Sequence, residues 1–146
     1  MTVIAWDGKT LAADKRAESC GMKRSRTKIF RLATGQLMGY SGDTCVGLAM
    51  KDWIESGCLP ESFPAAQAAQ DHGNCILITR EGVVVYDNTR FALPVSESFC
   101  AFGSGRDYAV AAMHLGKSSR EAVEIASMFD VYCGDGVDEL TLDAPT

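Results

Sequence analysis

No run of apolar residues in this sequence is long enough to span a bilayer as a helix. Residues 1–8 lack the basic-then-apolar pattern of a secretory signal, so a cytoplasmic chain is expected. Histidine is scarce. His72 and His114 are not spaced as a metal pair and no C-x-x-C occurs, so no zinc site is expected. Basic charge is also in short supply: 14 Lys and Arg against 19 Asp and Glu give a net charge of −5 and a pI of about 5.0. That balance argues against a nucleic-acid or anionic-membrane partner, since phosphate binding needs clustered cations. The short run Lys23-Arg24-Ser25-Arg26 reads as a solvated turn. Neither an internal repeat nor a linker interrupts the chain.

What is present describes a soluble globular protein. The 146 residues, 47% hydrophobic and 23% charged, fit one domain over 1–146 with a sizeable core. The six cysteines, Cys20, Cys45, Cys58, Cys75, Cys100 and Cys133, are expected as free thiols, because a core of this size needs no staples.

Local patterns predict the order of elements. Residues 3–6 and 9–13 read as strands joined across Asp7-Gly8, a preferred two-residue hairpin pair. Asp14 ends the second strand on the side of Thr2. Residues 29–32 and 36–40 predict a second hairpin across Ala33-Thr34-Gly35. Asp43 is placed to cap a helix running to about Ser56, with Val46, Leu48, Ala49, Met50, Trp53 and Ile54 as its apolar face and Gly57 and Pro60 as its end. Residues 59–73 are polar, with at most a short helix over 65–70. Strands follow over 75–79, 83–86 and 98–102, the first two joined around Glu81-Gly82. A helix over 107–115 stops at Gly116, and Ser118 with Glu121 forms a capping box for another helix. Ala122, Val123, Ile125, Ala126 and Phe129 would be its buried face. Residues 137–142 form a last strand. Antiparallel hairpins alternating with blocks of helix predict a layered α+β domain.

Five short segments suggest chemistry. If Met1 is removed, Thr2 carries a hydroxyl and a free α-amine, a nucleophile and a base in one unit. Such an amine has a pKa of about 7.7–8.0, so part of it is neutral at pH 7 and able to accept the hydroxyl proton. A nearby ammonium, Lys28 of Lys28-Ile29-Phe30-Arg31-Leu32, favours that neutral amine. Asp14 of Leu11-Ala12-Ala13-Asp14 holds the lysine, and Gly42 offers a backbone N–H to an oxyanion. Gly103-Ser104-Gly105 and Asp130-Val131-Tyr132-Cys133-Gly134 complete the set.

In this order the segments resemble the proteasome β-subunit and HslV group of N-terminal-nucleophile hydrolases, over nearly the whole chain. The resemblance implies a four-layer αββα sandwich and threonine-type peptide hydrolysis without a cofactor. It implies Ser104 and Asp130 around the Thr2 amine, and Tyr40, Thr44 and Leu48 lining a substrate pocket. It also implies homo-oligomeric rings and an ATP-dependent unfoldase partner acting on polypeptide substrates. Three features depart from the family pattern. Cys133 replaces a hydroxyl residue, the first hairpin is short, and residues 59–73 are too few for a long second helix.

Plainer readings stand beside these. Asp14 and Asp130 also suit strand and helix ends, Lys28 a basic surface, and Ser104 a turn. Cys133 reads as a buried thiol, and the two histidines as loop and helix-surface residues. A non-catalytic subunit that keeps Met1, or an amidase acting on a small non-peptide amide, are the alternative functions.

Overall fold

The computed structural model describes residues 1–64 and 73–142. The expected short helix over 65–70, the position of His72 and the last four residues lie outside them.

Three hydrophobic layers organise the described chain. Strand β1 (Ile4–Trp6) pairs antiparallel with β2 (Thr10–Asp14) on one side and β10 (Cys100–Phe102) on the other. β11 (Val137–Thr141) closes that four-stranded sheet beside β2. The second sheet has five antiparallel strands in the order β5 (Ile29–Arg31), β6 (Leu37–Gly42), β7 (Gly73–Thr79), β8 (Gly82–Asp87) and β9 (Leu93–Val95).

Strand side chains alternate between faces, so each sheet feeds two layers. Ile4, Trp6, Leu11 and Ala13 of the first sheet meet Ile29, Leu37, Ile76, Ile78 and Val85 of the second. On the opposite face, Val3, Ala5 and Ala12 pack on α2 (Arg106–His114) and α3 (Ser119–Phe129) through Ala109, Met113, Ala122, Val123 and Ala126. Met38, Cys75, Leu77 and Tyr86 of the second sheet pack on α1 (Thr44–Glu55) through Met50, Trp53 and Ile54. The result is the four-layer α+β sandwich, with one helix and a 3-10 turn (Pro60–Ser62) as the described part of the α1 layer. No described helix is long and apolar enough to cross a membrane.

Helix starts follow local chemistry. Asp43 accepts the Val46 N–H at 3.0 Å. Ser118 and Glu121 form the reciprocal box, with both N–H···O contacts at 3.2 Å.

Several expectations are corrected. The first turn falls one residue later than the Asp7-Gly8 pair. Only Gly8 has positive φ, while Asp7 Oδ1 accepts the N–H groups of Lys9 and Thr10 at 2.9 and 2.8 Å. The basic run is not a turn, because Lys23, Arg24 and Ser25 belong to β4 (Met22–Ser25), paired with β3 (Arg16–Ser19) across a Cys20-Gly21 turn with positive φ at both residues. Leu48 and Phe129 are 44% and 64% exposed, off the buried faces of their helices. Phe129 stacks instead on Tyr108, centroids 5.7 Å apart.

Candidate active site

The site forms where the β1–β2 hairpin opens. Asp14 donates its N–H to the Val3 carbonyl at 3.2 Å, and its Oδ1 accepts the Val3 N–H at 3.1 Å. The hairpin ladder thereby stops one residue short of Thr2. That residue is taken up by the Gly103-Ser104-Gly105 turn. The Thr2 N–H donates to Ser104 Oγ at 3.2 Å, and the Thr2 carbonyl accepts from Ser104 Oγ at 3.3 Å and from Gly105 N–H at 3.1 Å. Gly103 has φ +94, and a Cβ there would collide with the Thr2 carbonyl. Only glycine lets the turn lie this close.

Lys28 is not a surface residue. Its Nζ donates to Asp14 Oδ1 at 2.8 Å and to the Arg16 carbonyl at 2.6 Å, with side-chain exposures of 3% for Lys28 and 0% for Asp14. Asp14 Oδ2 accepts the N–H groups of Gly134 at 3.0 Å and Arg16 at 3.3 Å. A buried ion pair needs such extra hydrogen bonds to offset its desolvation. The loop 130–134 therefore helps to hold the lysine through its Gly134 N–H.

Asp130 caps α3 and turns its carboxylate back toward Ser104. Oδ1 accepts the Tyr132 N–H at 2.9 Å and Oδ2 the Cys133 thiol at 3.3 Å, while Cys133 Sγ lies 3.7 Å from Ser104 Oγ. Burial works to raise the Asp130 pKa. Hydrogen bonds from Tyr132, Ser104 and Cys133 and the nearby chain amine outweigh it and hold the carboxyl below its ordinary value. The Cys133 thiol goes the other way. Burial first, then the Asp14 charge, push it up to about 12. Such a thiol stays protonated and serves as a hydrogen-bond link where the resemblance led one to expect a hydroxyl.

A cleft of about 550 Å³ opens beside these groups, lined among others by Thr2, Lys28, Tyr40, Gly42 and Thr44. Tyr40 is buried, with its ring over Gly47 and its hydroxyl donating to the Thr27 carbonyl at 3.4 Å. Leu48 does not line the cleft. Cys45 and Arg26, which sequence reasoning missed as cleft residues, do. Their one sequence signal was proximity to Thr44 and Lys28. No cluster of His, Cys, Asp and Glu suited to a metal ion occurs among the described residues.

No protein-family model and no curated protein matches the sequence. Solved structures do. BPH of Thiobacillus denitrificans in complex with epoxomicin superposes with a TM-score of 0.73 at 22% identity, covering 99% of this chain and 100% of that one. HslV of Trypanosoma brucei gives 0.74 at 19% identity, over 98% of this chain and 99% of that one. This is the HslV fold. A second BPH structure agrees, with a TM-score of 0.70 at 21% identity over 99% of each chain. The HslV-like architecture accounts for the α+β layering, and the chain spans its HslV and BPH counterparts almost end to end.

Proposed function

We propose that this chain is a threonine-type peptidase whose nucleophile is Thr2, exposed by removal of Met1. The nitrogen that now donates to Ser104 Oγ as an amide would then be a free amine. In its neutral form it takes the Thr2 hydroxyl proton, and the oxygen attacks the peptide carbonyl. Lys28, held by Asp14, favours the neutral amine and the ionising hydroxyl. The Gly42 N–H receives the oxyanion. The amine returns its proton to the leaving nitrogen, leaving an ester on Thr2 that water hydrolyses. Ser104 and Asp130 position the amine. Tyr40 and Thr44 flank the substrate, whereas Leu48 has no part in it. The scheme calls on no metal or organic cofactor.

The observation that carries this reading is the joint geometry of Thr2 and Lys28. Ser104 grips both backbone polar groups of Thr2 beside a cleft that the buried Lys28–Asp14 pair also lines. The epoxomicin complex of a protein with the same fold supports a peptide-like ligand in this cleft. Polypeptides are the proposed substrates, and the proposed setting is a cytoplasmic homo-oligomer, a ring fed by an ATP-dependent unfoldase.

Intact mass before and after treatment with a peptide epoxyketone tests the chemistry, because the probe bonds to both the hydroxyl and the amine of an N-terminal threonine. Loss of Met1 and one adduct, absent in Thr2→Ala, is the expected result. Retained Met1 without an adduct overturns the proposal in favour of a non-catalytic subunit. Turnover of small amides but not peptides would favour an amidase.

A further inference from the structure

Besides the chain amine, four cationic side chains line the cleft, and their partners differ. Lys28 is tied to Asp14 at 2.8 Å. Arg16 and Lys23 share the single carboxylate of Asp135, at 3.3 and 2.9 Å. Arg26 also lines the cleft and is half-buried, yet among the described residues no carboxylate lies within ion-pair distance of its guanidinium. Its backbone is fixed, with its N–H donating to the Lys15 carbonyl at 2.9 Å. The two acidic residues of the cleft wall are engaged elsewhere. Glu18 accepts from the Gly21 N–H in the β3–β4 turn, and Asp43 caps α1 through Val46. A partly desolvated guanidinium without an internal counter-charge matches a carboxylate from outside, which it meets through two parallel N–H···O bonds.

Resting on the peptidase reading above, we propose that Arg26 is a specificity residue that selects an acidic side chain on the acyl side of the scissile bond. Two cleft residues shape the subsite. The buried Tyr40 ring gives it an apolar wall, and the Tyr40 hydroxyl, held on the Thr27 carbonyl, keeps that wall beside residue 26. An aspartate or glutamate entering it would replace water around Arg26. A basic side chain would meet an unpaired like charge in a half-buried setting, which is strongly disfavoured.

The test compares peptidyl-aminocoumarins that differ only in the residue next to the coumarin: glutamate, leucine or arginine. The processed protein is expected to cleave the glutamate peptide about 10- to 100-fold better than the leucine peptide in kcat/KM, the range for a hydrogen-bonded charge pair. It should cleave the arginine peptide worst of the three. Arg26→Glu is expected to invert the order of glutamate and arginine. Arg24→Glu makes the same change in net charge on the exposed β4 strand outside the cleft, and is expected to leave the order intact. A glutamate-to-leucine ratio near one, or an equal effect of the two variants, would overturn the proposal.

Anisotropy of the same peptides, dye-labelled and bound to Thr2→Ala, separates this failure from failure of the peptidase reading. Glutamate-selective binding that Arg26→Glu inverts, without cleavage by the wild type, keeps the subsite and rejects the chemistry. Cleavage without acidic preference does the reverse.

Discussion

Lys28 and Asp14 form a pair whose two halves do not cost the same to remove. Breaking a buried ion pair from one side costs about 3–5 kcal/mol, because a charge is left without its counterpart. In Lys28→Met the carboxylate of Asp14 keeps three backbone donors, Val3, Arg16 and Gly134, and the methionine fills most of the lysine's volume. The low end, about 3 kcal/mol, is expected. In Asp14→Ala the Lys28 ammonium keeps one acceptor, the Arg16 carbonyl, and three N–H groups lose theirs. Each orphaned group adds roughly 1 kcal/mol or more, which takes the total beyond about 5 kcal/mol and to the edge of a typical domain's stability. Urea unfolding followed by the fluorescence of buried Trp6 and Trp53 reads the loss as a shift in midpoint at constant slope. The double variant is expected to cost less than the sum of the two, since the second change removes a charge already stranded. A loss in Lys28→Met that equals that of Asp14→Ala, or falls below about 1 kcal/mol, would show that the two halves of the pair are not unequal in this way.

Other perturbations probe the neighbouring groups. Gly47→Ala would press a Cβ against the base of the Tyr40 ring, 2.5 Å from Cδ2, and is expected to cost about 1–3 kcal/mol by overpacking, read by thermal unfolding. It should also weaken peptide binding, because Tyr40 lines the cleft. The Asp130 carboxyl titrates below its ordinary value of 3.8 in the folded state, so its contribution is present above that value and is lost as pH falls through the folded pKa. The stability gap between wild type and Asp130→Asn is therefore expected to be constant from pH 7 to 5 and to shrink below about pH 4; a gap unchanged at pH 3 would count against these hydrogen bonds. Iodoacetamide is expected to label exposed Cys20 and Cys45 in the native protein. Cys75 and Cys133, both pushed up to about 12 chiefly by burial, should react only after unfolding, as peptide mass mapping would show.

Legibility in the sequence followed the range of the interactions. The Asp43 cap and the Ser118–Glu121 box are closed by side chains three residues from their partners, so a short window contains the whole device. The apolar strands around Ile4, Leu37 and Ile76 were readable because a strand buried on both faces leaves a short, nearly continuous apolar run in the chain. The hairpin β3–β4 carries no such mark. Its second strand, Met22–Ser25, is exposed throughout, and its turn uses a cysteine at φ 53. Strand β9 was missed because Pro94 lies inside it, which only a sheet edge tolerates. Leu48 and Phe129 fit the helical period but lie outside the narrow stripe that packing covers. In the candidate site, Thr2, Asp14, Lys28, Gly42 and Ser104 were each legible only as members of an ordered set. The hydrogen bond from Gly134 to Asp14 spans 120 residues, and Arg26 reaches the cleft through tertiary placement, so neither had a local signature.

The clamp on Thr2 also bears on how the protein is handled at the bench. Ser104 and Gly105 fix residue 2 beside the cleft, and Met1 lies within its lining. An affinity tag or fusion partner joined ahead of Met1 would thread its first residues through the space proposed for substrate, and would act as a tethered plug. The last described strand ends at a better place for one. β11 leaves the sheet where Thr141 pairs with Thr10, four residues along β2 from Asp14 and about 14 Å away at strand rise. Tags for activity work belong there, and a removable N-terminal fusion would serve as a deliberate off-state, opened by the protease that cuts it.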